Sequence, residues 1–258
     1  MTAHHIEISR DGRVQVLRIN RPDKKNALTS PMYGALTAAL QAGDADPGVG
    51  VHLFAGLPGI FSAGNDIAEF RAFAEGGGLG GEVIAFLRQL ALSEKPMVAV
   101  VDGLAVGVGT TMLFHCDLVY ATPQATFRTP FLDLGLVPEA GSSLLAPGLM
   151  GHQRAFELLC LGGAFSAEDA RMAGLVNRLV EDGNGEPEAF AAAHALAAKP
   201  PKALKLARDL LRGPREVVLE RIDAEVALFA ERLRSPEALE AFMAFMEKRP
   251  PDFSKIAE

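Results

Sequence analysis

The sequence predicts an α/β fold, on two observations. Short apolar runs with strand character alternate with amphipathic helical stretches through residue 187. After about Glu188 the strand signals stop and only helical periodicity remains. Together they divide the 258 residues into an α/β core, 1–187, and a helical region, 188–258. Strands separated by helices imply parallel pairing through right-handed crossovers.

The elements follow in order. Ile6 to Arg10 and Val14 to Ile19 flank Asp11-Gly12, a hairpin signal, so the chain opens with paired strands. Ser30-Pro31 reads as an N-cap followed by a first-turn proline, and Met32, Ala35, Leu36, Ala39 and Leu40 form a helical stripe. Val49 to Ala55 and Met97 to Val101 are expected strands. Asn65 to Ala74 and Gly80 to Ser93 are expected helices, joined by a glycine-rich loop, Gly76 to Gly81. A further helix begins near Gly107, and Asp117 to Ala121, Ala125 to Arg128 and Val176 to Leu179 are short extended segments. Four helices close the chain: Phe190 to Ala198, Pro201 to Leu211, Arg215 to Arg234 and Pro236 to Glu247. Ile222, Val226, Phe229 and Leu233 recur at helical spacing, as do Leu239, Phe242 and Phe245. Such faces can cover the chain's own core or pack on a second subunit.

Composition excludes several classes. Hydrophobic residues at 49% and charged residues at 22% are ordinary for a globular protein, so neither disorder nor a fibre is indicated. A formal charge of −7 argues against nucleic acid as a partner, because binding phosphates requires excess Lys and Arg. Cys116 and Cys160 stand far apart and read as packed thiols in a reducing compartment. The six histidines show no metal-ligand spacing, and His115 reads as a satisfied core histidine. Met97 to Phe114 approaches bilayer length but contains Asp102 and three glycines, so a buried strand turning into a buried helix fits better and no membrane is implied. His4, His5 and Glu7 interrupt any export signal, and Ile256-Ala257-Glu258 is not a peroxisomal address, so the expected location is the cytoplasm.

Two glycine-bearing turns carry the chemistry. Phe61-Ser62-Ala63-Gly64-Asn65-Asp66-Ile67 runs from a strand into a helix, and Asp102 through Gly109 does the same further on. Amides at a helix start lack intrahelical acceptors, and the helix dipole is positive there. Two such termini brought together would stabilise an enolate oxygen, each donor mattering by roughly 10²–10³ in rate. A nucleotide-binding reading fits less well. Gly107-Val108-Gly109 continues to Met112 where the dinucleotide fingerprint needs a third glycine, and Gly109-Thr110-Thr111 lacks the P-loop lysine. Ser142 and Ser143 do not stand in a G-x-S-x-G elbow.

Asn20 through Leu28, Phe61 to Ile67, Lys95-Pro96 through Gly109 and Phe127 to Ser143 resemble the crotonase (enoyl-CoA hydratase/isomerase) superfamily over nearly the whole chain. The resemblance implies a spiral of ββα turns with a helical C-terminal trimerisation region, an acyl-CoA substrate, and a homotrimer or a hexamer of two trimers. It places the oxyanion donors on the N–H groups of Asn65 and Val108. Coenzyme A, part of the substrate rather than a separate cofactor, would lie along Lys24, Lys25, Ala27, Ala63, Asp66 and Ile67. Phe245 and Lys248 match positions that reach coenzyme A on a neighbouring subunit.

The resemblance also sorts the reactions. Hydratases of this superfamily use two glutamates, and the matching positions here hold Thr111 and Phe131, neither able to act as a base. Leu136-Val137-Pro138-Glu139-Ala140-Gly141-Ser142-Ser143 instead resembles the peroxisomal-type Δ3,Δ2-enoyl-CoA isomerases, in which that glutamate is the single base. Glu139 would then carry a proton from C2 to C4 between apolar walls from Phe131, Leu132, Leu136 and Val137. Other roles compete: Glu139 could be a carboxylate favoured by a helix dipole, Asp66 an N-cap, and Asp133 a solvated loop acid or a substitute base. A hydratase or thioester hydrolase using Glu139 alone, and a non-catalytic acyl-CoA-binding protein, are the alternative functions.

Overall fold

The computed structural model describes residues 5–69, 79–181 and 185–256, the side chains of Phe245 and Lys255 excepted. The latter part of the expected helix from Asn65, the loop residues 76–78 and the Phe245 side chain lie outside the described residues. The chain opens with β1 (Ile6–Asp11) and β2 (Val14–Ile19), an antiparallel hairpin in which Ile6 faces Ile19. Helix α1 (Ser30–Ala45) follows, with Thr29 rather than Ser30 at the N-cap position and Pro31 in the first turn.

Three strand–strand–helix turns then wind in sequence. β3 (Val51–Ala55) is followed by β4 (Ile60–Ser62) and, after residues 70–78, by α2 (Gly81–Leu92). β5 (Met97–Val101) leads through β6 (Leu104–Val106) to α3 (Val108–Thr111). β7 (Leu118–Ala121) leads through β8 (Thr126–Arg128) to α4 (Ser142–Met150) and α5 (His152–Phe156). The first strands of the turns join a six-stranded sheet ordered β1-β2-β3-β5-β7-β10, and the second strands form a four-stranded sheet ordered β4-β6-β8-β9. Two-residue strands β9 (Phe165–Ser166) and β10 (Arg178–Leu179) flank α6 (Ala167–Met172).

The central strands are apolar on both sides, as parallel strands covered on both faces must be. Met97, Ala99 and Val101 face the main core with Phe54 and Leu17, while Val98 and Val100 face a second cluster with Val51, Leu53 and Val16. That second cluster is closed by α7 (Gly185–Ala197), whose Ala189, Ala193 and Ala197 recur at four-residue spacing and let the helix lie close to the sheet. Helices α8 (Pro201–Arg212), α9 (Arg215–Arg232) and α10 (Pro236–Glu247) complete the chain. None of the helices among the described residues is long and apolar enough to cross a membrane.

Two features go beyond what the sequence shows. β4, β6 and β9 are not legible as strands in the sequence because two or three residues are too few to show alternation. In α10 Ala238, Ala241 and Ala244 are buried, Phe242 packs partly buried against the core, and Leu239 is exposed. The helix approaches the Leu132–Leu134 turn so closely that a side-chain carbon on Gly135 would meet Ala238 N at 2.7 Å, so only small residues fit between.

Asn26 ties the first loop to the second sheet. It is wholly buried in a left-handed conformation, φ 57°. Its Nδ2 donates to Ile19 O, Ile60 O and Phe61 O at 3.0–3.1 Å, and its Oδ1 accepts from Arg21 N at 2.7 Å. Removing the amide takes one hydrogen bond from each of four backbone groups, of which Ile60 O keeps Leu57 N. Asn26→Ala should therefore destabilise the protein by about 3 kcal/mol, read as a lower midpoint in urea unfolding with an unchanged slope.

Candidate active site

β4 and β6 lie side by side in parallel, Ile60 opposite Leu104, so the chain leaves both strands at one end of the second sheet. At that end stand Gly64, φ 86°, and Gly107, φ 55°, in a region that L side chains resist. A side-chain carbon on Gly64 would sit 2.8 Å from Val106 O. The two turns can approach only as glycines.

Their amides are free to bind. Leu28 pairs in parallel with Asn65, donating to Gly64 O at 2.7 Å and accepting from Asp66 N at 2.8 Å. Alternate amides of an extended chain point to opposite sides, so Asn65 N–H points away from Leu28. Val108 opens α3, where its N–H has no intrahelical acceptor. Among the described residues neither amide donates to a backbone carbonyl. Gly64, Asn65, Val106 and Gly107 line one cavity of about 380 Å³ together with Ala63, Ile67, Phe131 and Leu136. The two turns thus border one cavity, at Asn65 on one side and at Gly107 on the other.

The expected site residues fall around this cavity unevenly. Ala63, Asn65, Ile67, Phe131 and Leu136 are on its wall, and Val108 is buried directly after the lining residue Gly107. Lys24 and Lys25 are exposed on the loop before buried Ala27, and that loop is held against the cavity turn by Ala63 N donating to Lys25 O at 2.9 Å. Asp66 accepts from Ala68 N at 3.0 Å and pairs with Arg21 at 2.7 Å, which together hold its carboxyl below the usual range despite partial burial. Capping and ion pairing occupy it. Asp133 is half-exposed and paired with Arg128 at 2.8 Å. Lys248 is exposed, φ 54°, and does not line the cavity. Leu132 is 43% exposed, so it is no inner wall.

Glu139 is 1% exposed and is not on the cavity wall. Among the described residues neither carboxyl oxygen has a hydrogen-bond partner. Burial, and secondarily the charge of Glu225, push its pKa up to about 8. Tyr33 links it to the cavity: the field of Glu139 adds to the burial that raises the Tyr33 pKa, and the Tyr33 hydroxyl donates to Asn65 Oδ1. Thr111 Oγ1 and Ser142 Oγ are also buried without partners among the described residues. His115 is buried and bonded through Nε2 to Ala140 O at 2.7 Å, and burial lowers its pKa to about 4, so it is a neutral core histidine.

Sequence reasoning missed Tyr33, whose place in the α1 stripe marks it as core, and Glu225, which interrupts the apolar stripe of α9. It also missed Arg128, Phe242, Arg249 and Pro251 on the cavity rim, since only the folded chain brings 242–251 back to residues 128–136.

Successive strand–strand–helix turns between two sheets, with paired helix starts at one sheet end, define the crotonase-type fold. The chain belongs to the enoyl-CoA hydratase/isomerase family, whose sequence model matches residues 9–256, and is an acyl-CoA enzyme of that family. It is 34% identical over 251 residues to enoyl-CoA delta isomerase 2 of Rattus norvegicus, covering 95% of this chain and 64% of that longer protein. It is 33% identical over 243 residues to a probable enoyl-CoA hydratase, echA8, of Mycobacterium leprae, covering 94% of this chain and 95% of the relative. A solved enoyl-CoA hydratase/isomerase of Pseudoalteromonas atlantica superposes with a TM-score of 0.91 at 40% identity, over 96% of this chain and 99% of that one.

The raised Glu139 pKa has a consequence for stability that does not depend on the reaction. The folded protein holds this proton more tightly than the unfolded chain does. The stabilisation is complete below the ordinary carboxyl range and is lost as pH rises through about 8. Glu139→Gln removes that titration, so its melting temperature should exceed that of the wild type by more at about pH 9 than at about pH 5. Scanning calorimetry of both proteins across that range checks it; an equal difference at both pH values would mean that Glu139 titrates normally.

Proposed function

We propose that the protein is a Δ3,Δ2-enoyl-CoA isomerase with Glu139 as its one base. The observation that carries this reading is a buried carboxyl with no partner, pushed up to about 8, in a chain whose two hydratase glutamate positions hold Thr111 and Phe131. The 3-enoyl chain enters the apolar cavity lined by Phe131 and Leu136, and the wall must yield for the substrate to reach buried Glu139. The amides of Asn65 and Val108 receive the thioester oxygen. The Glu139 carboxylate takes a proton from C2, the electron pair spreads into a dienolate whose oxygen the amides hold, and the same carboxyl returns the proton at C4. The double bond shifts into conjugation and no atom is gained or lost.

A carboxylate in water is too weak a base for this task, and desolvation strengthens it. In the free enzyme near neutrality most Glu139 is protonated, so kcat/KM should rise with pH and level off above about 8. Coenzyme A would lie along Lys24, Lys25, Ala27, Ala63, Asp66 and Ile67, with Phe245 and Lys248 completing the site of an adjacent subunit in a homotrimer or a dimer of trimers. No separate cofactor takes part.

Incubation with trans-3-hexenoyl-CoA should give a conjugated product of unchanged mass, and trans-2-hexenoyl-CoA should gain no water. Hydration of the second substrate without isomerisation of the first would replace this reading with that of a hydratase. Glu139→Gln should bind acyl-CoA like the wild type while isomerisation falls by roughly a hundredfold or more. Unchanged turnover in that variant would remove Glu139 from the mechanism.

A further inference from the structure

Glu139 is followed by a turn that an ordinary backbone does not hold unaided. Ala140, φ 62°, and Gly141, φ 70°, are both left-handed, and Ala140 has a side chain that opposes this conformation. Helix α4 then begins at Ser142, and its N-cap residue, Gly141, has no side chain with which to satisfy the first amides. The missing acceptor comes from α9. Glu225, 5% exposed, accepts from Gly141 N at 2.6 Å, Ser143 N at 2.9 Å and Ser143 Oγ at 2.6 Å. Ile222 and Phe229, wholly buried on the same face, fix the helix that carries it.

We propose that Glu225 is a positioning residue for this site: by capping α4 from across the core, it holds the left-handed turn that keeps the Glu139 carboxyl turned inward. The inference rests on Glu139 being the base. The turn is gripped from its other side by His115, bonded to Ala140 O, with Arg212 donating in turn to His115 O. Among the described residues the charged and titratable groups near Glu139 or the turn that follows it are few. They are Tyr33 from α1, with Glu69 beyond it; neutral His115 with Arg212 and Arg208 behind; Glu225; and Arg221, which reaches Ser143 Oγ at 3.2 Å. Among them Glu225 is the negative neighbour that, after burial itself, favours the protonated form of Glu139. A purely structural cap would set the turn without altering that proton.

Glu225→Gln keeps the shape of the side chain and removes its charge, and Ser143→Ala keeps the charge and removes one of the three donors. Two readouts separate the roles. The first is the titration of Glu139 in protein labelled with carboxyl-¹³C glutamate, its resonance assigned by its loss in Glu139→Gln, which needs no turnover. The second is kcat and KM for trans-3-hexenoyl-CoA across pH. In Glu225→Gln the Glu139 midpoint should fall by about half a pH unit or more. Its kcat should fall by about tenfold or more, with KM within about threefold. In Ser143→Ala the midpoint should stay and kcat should fall about threefold.

A folded Glu225→Gln with the wild-type midpoint and kcat would overturn the proposal. Should Glu225→Gln not fold, Ser143→Ala carries the test, and wild-type kcat in it sinks the idea. A wild type that isomerises nothing yet shows the Glu139 midpoint and its fall in Glu225→Gln would defeat the isomerase reading and leave the placement of Glu225 standing.

Discussion

The proposed chemistry depends on a carboxyl group held out of water with no hydrogen-bond partner among the described residues. A buried ionised carboxylate without a donor is so unfavourable that it takes up a proton instead, and Glu139 does so, its pKa rising to about 8. Such a group stays in place only if its surroundings are rigid enough to deny it an escape to solvent. The turn that follows Glu139 is held from two directions: by His115 after α3, bonded to Ala140 O, and by Glu225 on α9, accepting from Gly141 N and Ser143 N. The C-terminal helices are therefore part of the machinery around residue 139 as well as a cover for the core.

The second requirement is close approach of two backbones. Side chains keep chain segments apart, and an oxyanion needs amides from two different segments within reach of one atom. The parallel pairing of β4 with β6 delivers the segments to one end of a sheet, and Gly64 and Gly107 let them close the remaining distance. Asn26 and the Leu28–Asn65 bridge then lock the loop carrying the first amide to the strand before it. Each of these contacts is local, and together they fix the two turns beside one cavity.

Much of this was legible in the sequence, and what was not has physical causes. Long buried strands such as Met97–Val101, and the glycines at 64 and 107, announce themselves because continuous burial and positive φ each restrict the residue types allowed. The short strands of the second sheet do not, since their direction is imposed by neighbours rather than by pattern. α10 is only partly legible for a related reason. Large apolar residues suggest a buried face, whereas the tight approach to Gly135 admits only alanines and turns Leu239, Met243 and Met246 outward. Glu225 was passed over because an apolar stripe draws attention to its regular members, while the informative residue was the charged one interrupting it.

The two hydratase glutamates are replaced by residues of different kinds, and the difference bears on the proposed reaction. Thr111 is small, buried and, among the described residues, unbonded at Oγ1, so it brings no charge to its position. Phe131 is bulky and apolar and lies on the cavity wall, so it offers no group that could activate water there. In the proposed reaction the dienolate therefore takes back the proton that Glu139 removed. Return to C2 regenerates the substrate, and return to C4 gives the conjugated thioester. Conjugation makes the second outcome the lower in energy, so the proposed mechanism needs no second acid.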